Sequence, residues 1–154
     1  FGINKTIGDL AGPMAFAILM GSSRAFYGKF GDRINLERFM QYSAVLCMVS
    51  YLMIAFIPVP ALGILGCAVC GLSVGIMWPG TFSMAAASVK RGGTALFALL
   101  ALAGDVGCSS GPTYVGMISS ALNDNLKLGI FAALIFPILM MIGIKLIMGL
   151  RKNA

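Results

Sequence analysis

Five long apolar stretches, separated by short polar segments, decide what this chain can fold into. They cover approximately residues 7–27, 39–57, 61–89, 94–120 and 127–150. A helix that crosses a lipid bilayer needs about 20 mainly apolar residues, and each stretch is close to that length or longer. The sequence therefore predicts an all-α integral membrane protein with five transmembrane helices.

The composition argues against a soluble protein. Of the 154 residues, 59% are hydrophobic and only 10% are charged, whereas a soluble domain has about 25% charged residues. The 20 glycines and 11 methionines are typical of helices that pack closely in lipid. The net charge of +6 does not indicate nucleic-acid binding, because the basic residues lie at the ends of apolar stretches and form no continuous patch.

The cysteines give no sign of a metal site or a disulfide framework. All of them lie in apolar stretches, at Cys47, Cys67, Cys70 and Cys108. Cys67 and Cys70 have a spacing found in zinc sites, but the chain has no histidine and no second pair of this spacing. We interpret the cysteines as small packing residues, and we predict no metal and no other cofactor.

The third apolar stretch is rich in glycine and contains Trp78-Pro79. Pro79 has no N–H for the Gly75 carbonyl, so a kink is expected there. Residues 71–75 match the G-x-S-x-G pattern of serine hydrolases, with Ser73 as the nucleophile. That motif needs a strand-to-helix turn and a histidine base, and this chain has no histidine. We interpret the match as accidental and predict that the chain is not an enzyme; the alternative is an intramembrane hydrolase whose base lies outside this sequence.

The fourth stretch carries Asp105 close to its middle. A carboxylate at membrane depth costs a few kcal/mol, so it normally faces the interior of a helix bundle or a water-filled path. Residues four apart share a helix face, and Ser109 and Thr113 therefore extend the polar stripe that begins at Asp105. Pro112 and several glycines favour a helix that bends around a cavity. The alternative is a protonated Asp105 that only bonds to a neighbouring helix.

Charge distribution predicts an orientation. Because successive helices alternate in direction, one side of the membrane holds the charged loop 28–38, the turn 90–93 and the C-terminus. Of the 11 basic residues, all except Lys5 and Lys127 belong to that side. The positive-inside rule makes this side cytoplasmic. The chain starts with Phe1 instead of Met, and we expect an N-terminal part of the protein to precede it.

The charged loop also resembles a known signature. The major facilitator superfamily places G-x-L-x-D-R-x-G-R-R between helices two and three and repeats it more loosely between helices eight and nine. This chain matches at Gly28, Asp32 and Arg33, has Phe30 in place of the leucine, and supplies Arg38 one position late. The segments 75–80 and 103–107 further resemble helices ten and eleven of the branch that includes fucose permease-like sugar:proton symporters.

The resemblance implies that the chain is helices eight to twelve, the C-terminal part, of a twelve-helix transporter in the plasma membrane. It implies a small polar solute of the sugar class as substrate, with a proton as coupling ion and the missing N-terminal half as partner. The candidate residues for proton and solute are Asp105, Ser109, Thr113, Ser73, Trp78 and Thr81. In the family, the loop Asp pairs with basic residues and with a helix N-terminus, and so holds the cytoplasmic side closed.

By this analogy, the gate on this chain comprises Gly28, Asp32, Arg33 and Arg38. Asp32 would face a helix of the N-terminal half, and the start of the fourth span at residues 92–94 would receive the equivalent Asp of that half. A rival interpretation of the whole chain is a membrane scaffold or regulatory module that transports nothing, in which Asp105 is structural.

Overall fold

The computed structural model describes residues 5–89 and 92–152, and these residues are helical apart from short connections. In chain order the helices are α1 (Lys5–Phe30), α2 (Leu36–Phe56), α3 (Pro60–Val74), α4 (Met77–Ser88), α5 (Gly93–Ala121), α6 (Leu126–Ala132) and α7 (Ile135–Lys152). A 3₁₀ turn at Gly31–Arg33 joins α1 to α2. No strand occurs in the two described ranges, which confirms the all-α prediction for them.

Four helical segments are long and apolar enough to cross a membrane. They are Leu36–Phe56, Pro60–Ser88, Gly93–Ala121 and Leu126–Gly149, and they correspond to the second to fifth predicted spans. Helix α1 has 26 residues, which is sufficient length, but Asp9, Pro13 and Arg24 make it less apolar than the others. That α1 also crosses the membrane stays a prediction.

Two of the apolar spans are broken by a proline. The third span is interrupted at residues 75–76, four and three positions before Pro79, as expected from the lost hydrogen bond to the Gly75 carbonyl. The fifth span, predicted as one helix, is interrupted in the same way at residues 133–134, ahead of Pro137. Because a proline cannot donate to the carbonyl four residues earlier, both breaks have the same local cause.

Helices α1 and α3 run parallel with their backbones in close contact. A Cβ atom added to Gly71 would collide with the backbone of Phe16, and one added to Gly75 would lie 2.8 Å from the Met20 carbonyl oxygen. Both pairs advance by four residues in the same direction, which gives the parallel arrangement. Gly71 and Gly75 therefore act as a small-residue packing motif, which explains two of the three residues in the G-x-S-x-G match.

Helix α2 runs antiparallel to the α3–α4 span and lies between it and α7. Gly66 faces Ser50 and Ile54, whereas Gly80 faces Met40 and Leu36. Residue numbers therefore fall along α2 as they rise along the α3–α4 span, which shows the antiparallel arrangement. Where α2, α4 and α7 meet, the buried side chains of Met40, Met84 and Ile144 form an apolar cluster. Gln41 Nε2 of α2 also donates to Met148 Sδ of α7, at 3.3 Å.

Helix α5 is attached to its neighbours mainly near its two ends. The Phe97 ring stacks on Phe82 of α4 at 5.8 Å between centroids, and Tyr114 meets Phe136 edge to face at 5.7 Å. No residue of its 18-residue apolar window is buried. One long face of α5 therefore has no cover from the described residues, and this face contains Asp105.

Candidate functional site

Asp105 lies near the midpoint of α5 and is exposed. An ionised carboxylate in the hydrocarbon region costs about 3 kcal/mol on membrane-insertion scales. A helix of this length and composition cannot leave that group facing lipid without such a cost. Asp105 is exposed together with the apolar side chains of Leu102 and Val106, so within a membrane its carboxyl group needs water, a polar partner or a bound proton to avoid this cost.

The hydroxyl groups of the stripe bond to their own helix. Ser109 Oγ donates to the Asp105 carbonyl oxygen at 2.8 Å, and Thr113 Oγ1 donates to the Ser109 carbonyl oxygen at 2.8 Å. Each hydroxyl thus uses its proton within α5 and keeps lone pairs for an incoming donor. Pro112, inside α5, also deprives the Cys108 carbonyl of its usual N–H partner. Together with the carboxylate, these groups make the stripe rich in hydrogen-bond acceptors.

Trp78 borders this stripe from the neighbouring helix. Its indole ring packs on Gly104, where an added Cβ atom would collide with the ring, and Gly104 precedes Asp105 in the chain. The side chain remains 45% exposed. On its other side the ring meets Phe82 at 4.8 Å between centroids. The structure therefore brings Trp78 and the Asp105 turn of α5 together, with part of the ring open to a ligand.

A further polar group lies at the break between α3 and α4, on the other side of Trp78. Arg24 Nε of α1 donates to the Gly75 carbonyl oxygen at 3.1 Å, and this is the carbonyl that Pro79 leaves without its helical partner. A cavity of about 280 Å³ is lined there by Arg24, Tyr27, Gly28, Ile76, Trp78 and Pro79. Sequence reasoning assigned Arg24 only to membrane orientation. The sequence does contain a signal for this contact. Arg24 is a cation inside an apolar stretch, and Pro79 leaves the Gly75 carbonyl of a neighbouring stretch without its helical donor.

Ser73 and Thr81 occupy other environments. Ser73 is 1% exposed and donates to the Cys70 carbonyl oxygen at 2.7 Å, in the interface between α2 and α3. Thr81 donates to the Met77 carbonyl oxygen at 2.7 Å and lines an apolar cavity of about 400 Å³ together with Met40 and Ile144. In this arrangement neither hydroxyl joins the stripe on α5, so their role as solute contacts stays a prediction.

The charged loop is short and presents its described cations outward. Arg33 and Arg38 are exposed, and Asn35 caps α2 by accepting from the Arg38 backbone N–H at 3.1 Å. The rings of Tyr27 and Phe39 stack across the loop with centroids 6.0 Å apart, so the end of α1 contacts the start of α2.

Two parts of the predicted gate lie beyond what the structure describes. The backbone of Asp32 belongs to the 3₁₀ turn, but its side chain is outside the described part, as are residues 90 and 91 of the second basic turn. Helix α5 begins at Gly93, whose φ is +50°. This left-handed conformation suits glycine, because a larger residue would be strained there.

Comparisons with known proteins identify no relative: no family model, no curated protein and no solved structure matches this chain.

Proposed function

We propose that this chain is part of a secondary active transporter that moves a small polar solute across the plasma membrane by alternating access, coupled to protons. The proposed architecture is the C-terminal part of a twelve-helix major facilitator fold. The observation that carries the proposal is the uncovered face of α5, where Asp105, Ser109 and Thr113 lie in a row within a membrane-length helix.

The chemistry of the stripe suits a solute that offers hydrogen-bond donors. Ser109 and Thr113 have committed their own protons to α5, so their lone pairs favour a polyhydroxylated molecule over another acceptor. The exposed part of the Trp78 ring lies beside this turn, and sugars pack their C–H faces on such rings. A sugar is therefore the solute class that we favour.

Asp105 supplies the proposed coupling. A carboxyl group in a polar cavity binds a proton while the cavity is open to one side of the membrane. It releases the proton when the cavity opens to the other side. The loop 28–38 is proposed to lie on the cytoplasmic side, with Asp32, Arg33 and Arg38 closing that side against the N-terminal half. The excess of basic residues in this loop and at the C-terminus supports the orientation.

The proposal is tested with the full-length protein in proteoliposomes that contain a trapped pH-sensitive dye, under an imposed proton gradient and with a panel of hexoses and pentoses as probes. Asp105→Asn is expected to abolish uphill accumulation of the transported sugar and sugar-driven proton uptake, while exchange down a gradient remains. The matched control is Asp124→Asn, the same chemical change in the exposed loop between α5 and α6. Asp124 has φ 56°, which asparagine also adopts readily. Uphill accumulation unchanged by Asp105→Asn would exclude the proton role.

Two rival functions are separated by simpler measurements. A scaffold or regulatory module would show no sugar-dependent thermal stabilisation of the full-length protein, whereas a transporter gains stability from a ligand that binds its folded state. A hydrolase that uses Ser73 would react with a fluorophosphonate probe. The hydroxyl of Ser73 is buried and bonded to the Cys70 carbonyl, and we expect no reaction.

A further inference from the structure

Helices α2 and α3 carry the same short motif, Cys-x-x-Ser, at places that face each other. On α2 the motif is residues 47–50 and on α3 it is residues 70–73. The cysteine and serine side chains of both motifs are buried. Their exposed fractions are 0% for Ser50, 1% for Ser73, 2% for Cys47 and 7% for Cys70. Neither the proposed transport nor the charged loop uses the two cysteines.

The helix register brings the two cysteines together. A Cβ atom added to Gly66 of α3 would lie 3.5 Å from the Ser50 carbonyl oxygen of α2. Cys70 lies one helical turn after Gly66 on α3, and Cys47 lies about one turn before Ser50 on the antiparallel α2. The two cysteine side chains therefore face each other one turn away from the contact between Gly66 and Ser50. Consistent with this register, the Cys47 and Cys70 thiols interact with each other across the interface.

Each serine bonds to its own helix and also lies beside the thiol of the opposite helix, Ser50 beside Cys70 and Ser73 beside Cys47. Ser50 Oγ donates to the Cys47 carbonyl oxygen at 2.8 Å, and Ser73 Oγ donates to the Cys70 carbonyl oxygen at 2.7 Å. Both hydroxyl protons are therefore used within their own helices. Small side chains at these positions also allow the close approach of α2 and α3 that a sulfur–sulfur bond needs.

A cavity lies near the pair, and its lining contains chain neighbours of Cys47 and Ser73 but neither thiol. It has a volume of about 500 Å³ and lies between α1, α2 and α3, and its lining includes Ser43, Leu46 and Leu72. Leu46 adjoins Cys47 in the chain, and Leu72 adjoins Ser73. Because the lining is largely apolar, a neutral and lipid-soluble reagent is the kind that can enter.

We propose that Cys47 and Cys70 are a redox pair that forms a disulfide between α2 and α3 when a neutral, membrane-permeant two-electron oxidant reaches this cavity. The two S–H bonds break and one S–S bond forms, and two protons and two electrons pass to the oxidant. With a diazenedicarboxamide as oxidant, its N=N bond becomes the N–H groups of a hydrazine. A dithiol reductant returns both thiols. The bond closes a loop that contains the turn at residues 57–59, and it stabilises the packed pair of helices.

The test uses the full-length protein in lipid bilayers with Cys108→Ser, because Cys108 is exposed and would form intermolecular disulfides. After treatment with diamide, the remaining thiols are alkylated in denaturant with N-ethylmaleimide, and the digest is analysed by mass spectrometry without reduction. The expected product is a single cross-linked peptide pair containing Cys47 and Cys70, with Cys67 alkylated. Dithiothreitol treatment after oxidation should remove the cross-link.

Variants assign the bond. Cys47→Ser and Cys70→Ser should each abolish the cross-link, whereas the matched control Cys67→Ser, on the same helix, should leave it intact. Full alkylation of Cys47 and Cys70 after oxidation would overturn the proposal. A disulfide that involved Cys67 in place of either partner would overturn it as well.

Discussion

Arg24 of α1 donates from Nε to the Gly75 carbonyl oxygen at 3.1 Å, and this carbonyl lies where α3 ends because Pro79 has no N–H to offer it. An arginine of one helix thus replaces a hydrogen bond that another helix has lost. The same group lines the cavity next to Trp78. The contact ties α1 to the break between α3 and α4 and holds the aromatic border of the candidate site in place.

Removing the arginine is expected to destabilise the protein. In Arg24→Ala the Gly75 carbonyl loses its donor, and an unsatisfied buried polar group costs about 1–3 kcal/mol. Thermal unfolding of the purified protein measures the loss. In Pro79→Ala the backbone N–H is restored to the carbonyl, so Arg24→Ala should cost clearly less in that background. Equal losses in both backgrounds would show that the bond to Gly75 contributes nothing.

The close contact of α1 with α3 predicts an asymmetry between two glycines of the same helix. Gly71→Ala places a methyl group against the Phe16 backbone, whereas the equivalent atom at Gly63 would meet nothing within 4 Å. Overpacking of this kind costs about 1–3 kcal/mol. Gly63→Ala should be neutral or slightly stabilising, because alanine is the better helix former. Similar melting temperatures for the two variants would contradict the packing described for Gly71.

The spans and the break at Pro79 were predictable from the sequence, because both follow from local properties. Hydropathy over about 20 residues identifies a span, and a proline acts on the carbonyl four residues before it. The same rule points to the break ahead of Pro137, in a stretch predicted as one helix, but it does not tell these two prolines from Pro13 and Pro112, which lie inside unbroken helices. Helix α1 is the marginal case, because Asp9, Pro13 and Arg24 lower its hydropathy, and the contact of Arg24 with the Gly75 carbonyl could not be read from that pattern.

The contacts between helices were not predictable in the same way. Whether Trp78 packs on Gly104, or Cys47 meets Cys70, depends on helix register and rotation, which the pattern within one helix does not determine. The stripe at Asp105 could be recognised because its members lie on one helix. Ser73 and Thr81 were assigned to the solute from their hydroxyl groups alone, and the structure places both away from that stripe, with their protons bonded within their own helices.

The position of Trp78 predicts that two glycines of α5 affect transport differently. Gly104→Ala forces the indole ring to move, because the new methyl group would occupy its place, whereas Gly107 has nothing within 4 Å of an added Cβ atom. If the ring contacts the solute, Gly104→Ala should raise the KM for sugar uptake by the full-length protein, and Gly107→Ala should not. An unchanged KM in Gly104→Ala would remove Trp78 from the binding site.

If the uncovered face of α5 lines a water-filled path, a cysteine placed on that face must react with a water-soluble thiol reagent. In a Cys108→Ser background, Ser109→Cys is compared with Ile142→Cys. Both positions are exposed in the structure, but the span that contains Ile142 has no polar side chain between Leu128 and Ile144, so we expect position 142 to face lipid. Each protein, full-length and in proteoliposomes, is treated with a charged, membrane-impermeant methanethiosulfonate and the labelled fraction is measured. We expect rapid labelling at position 109 and little at position 142, as a water-filled path along α5 requires. Equally slow labelling at both positions would contradict it.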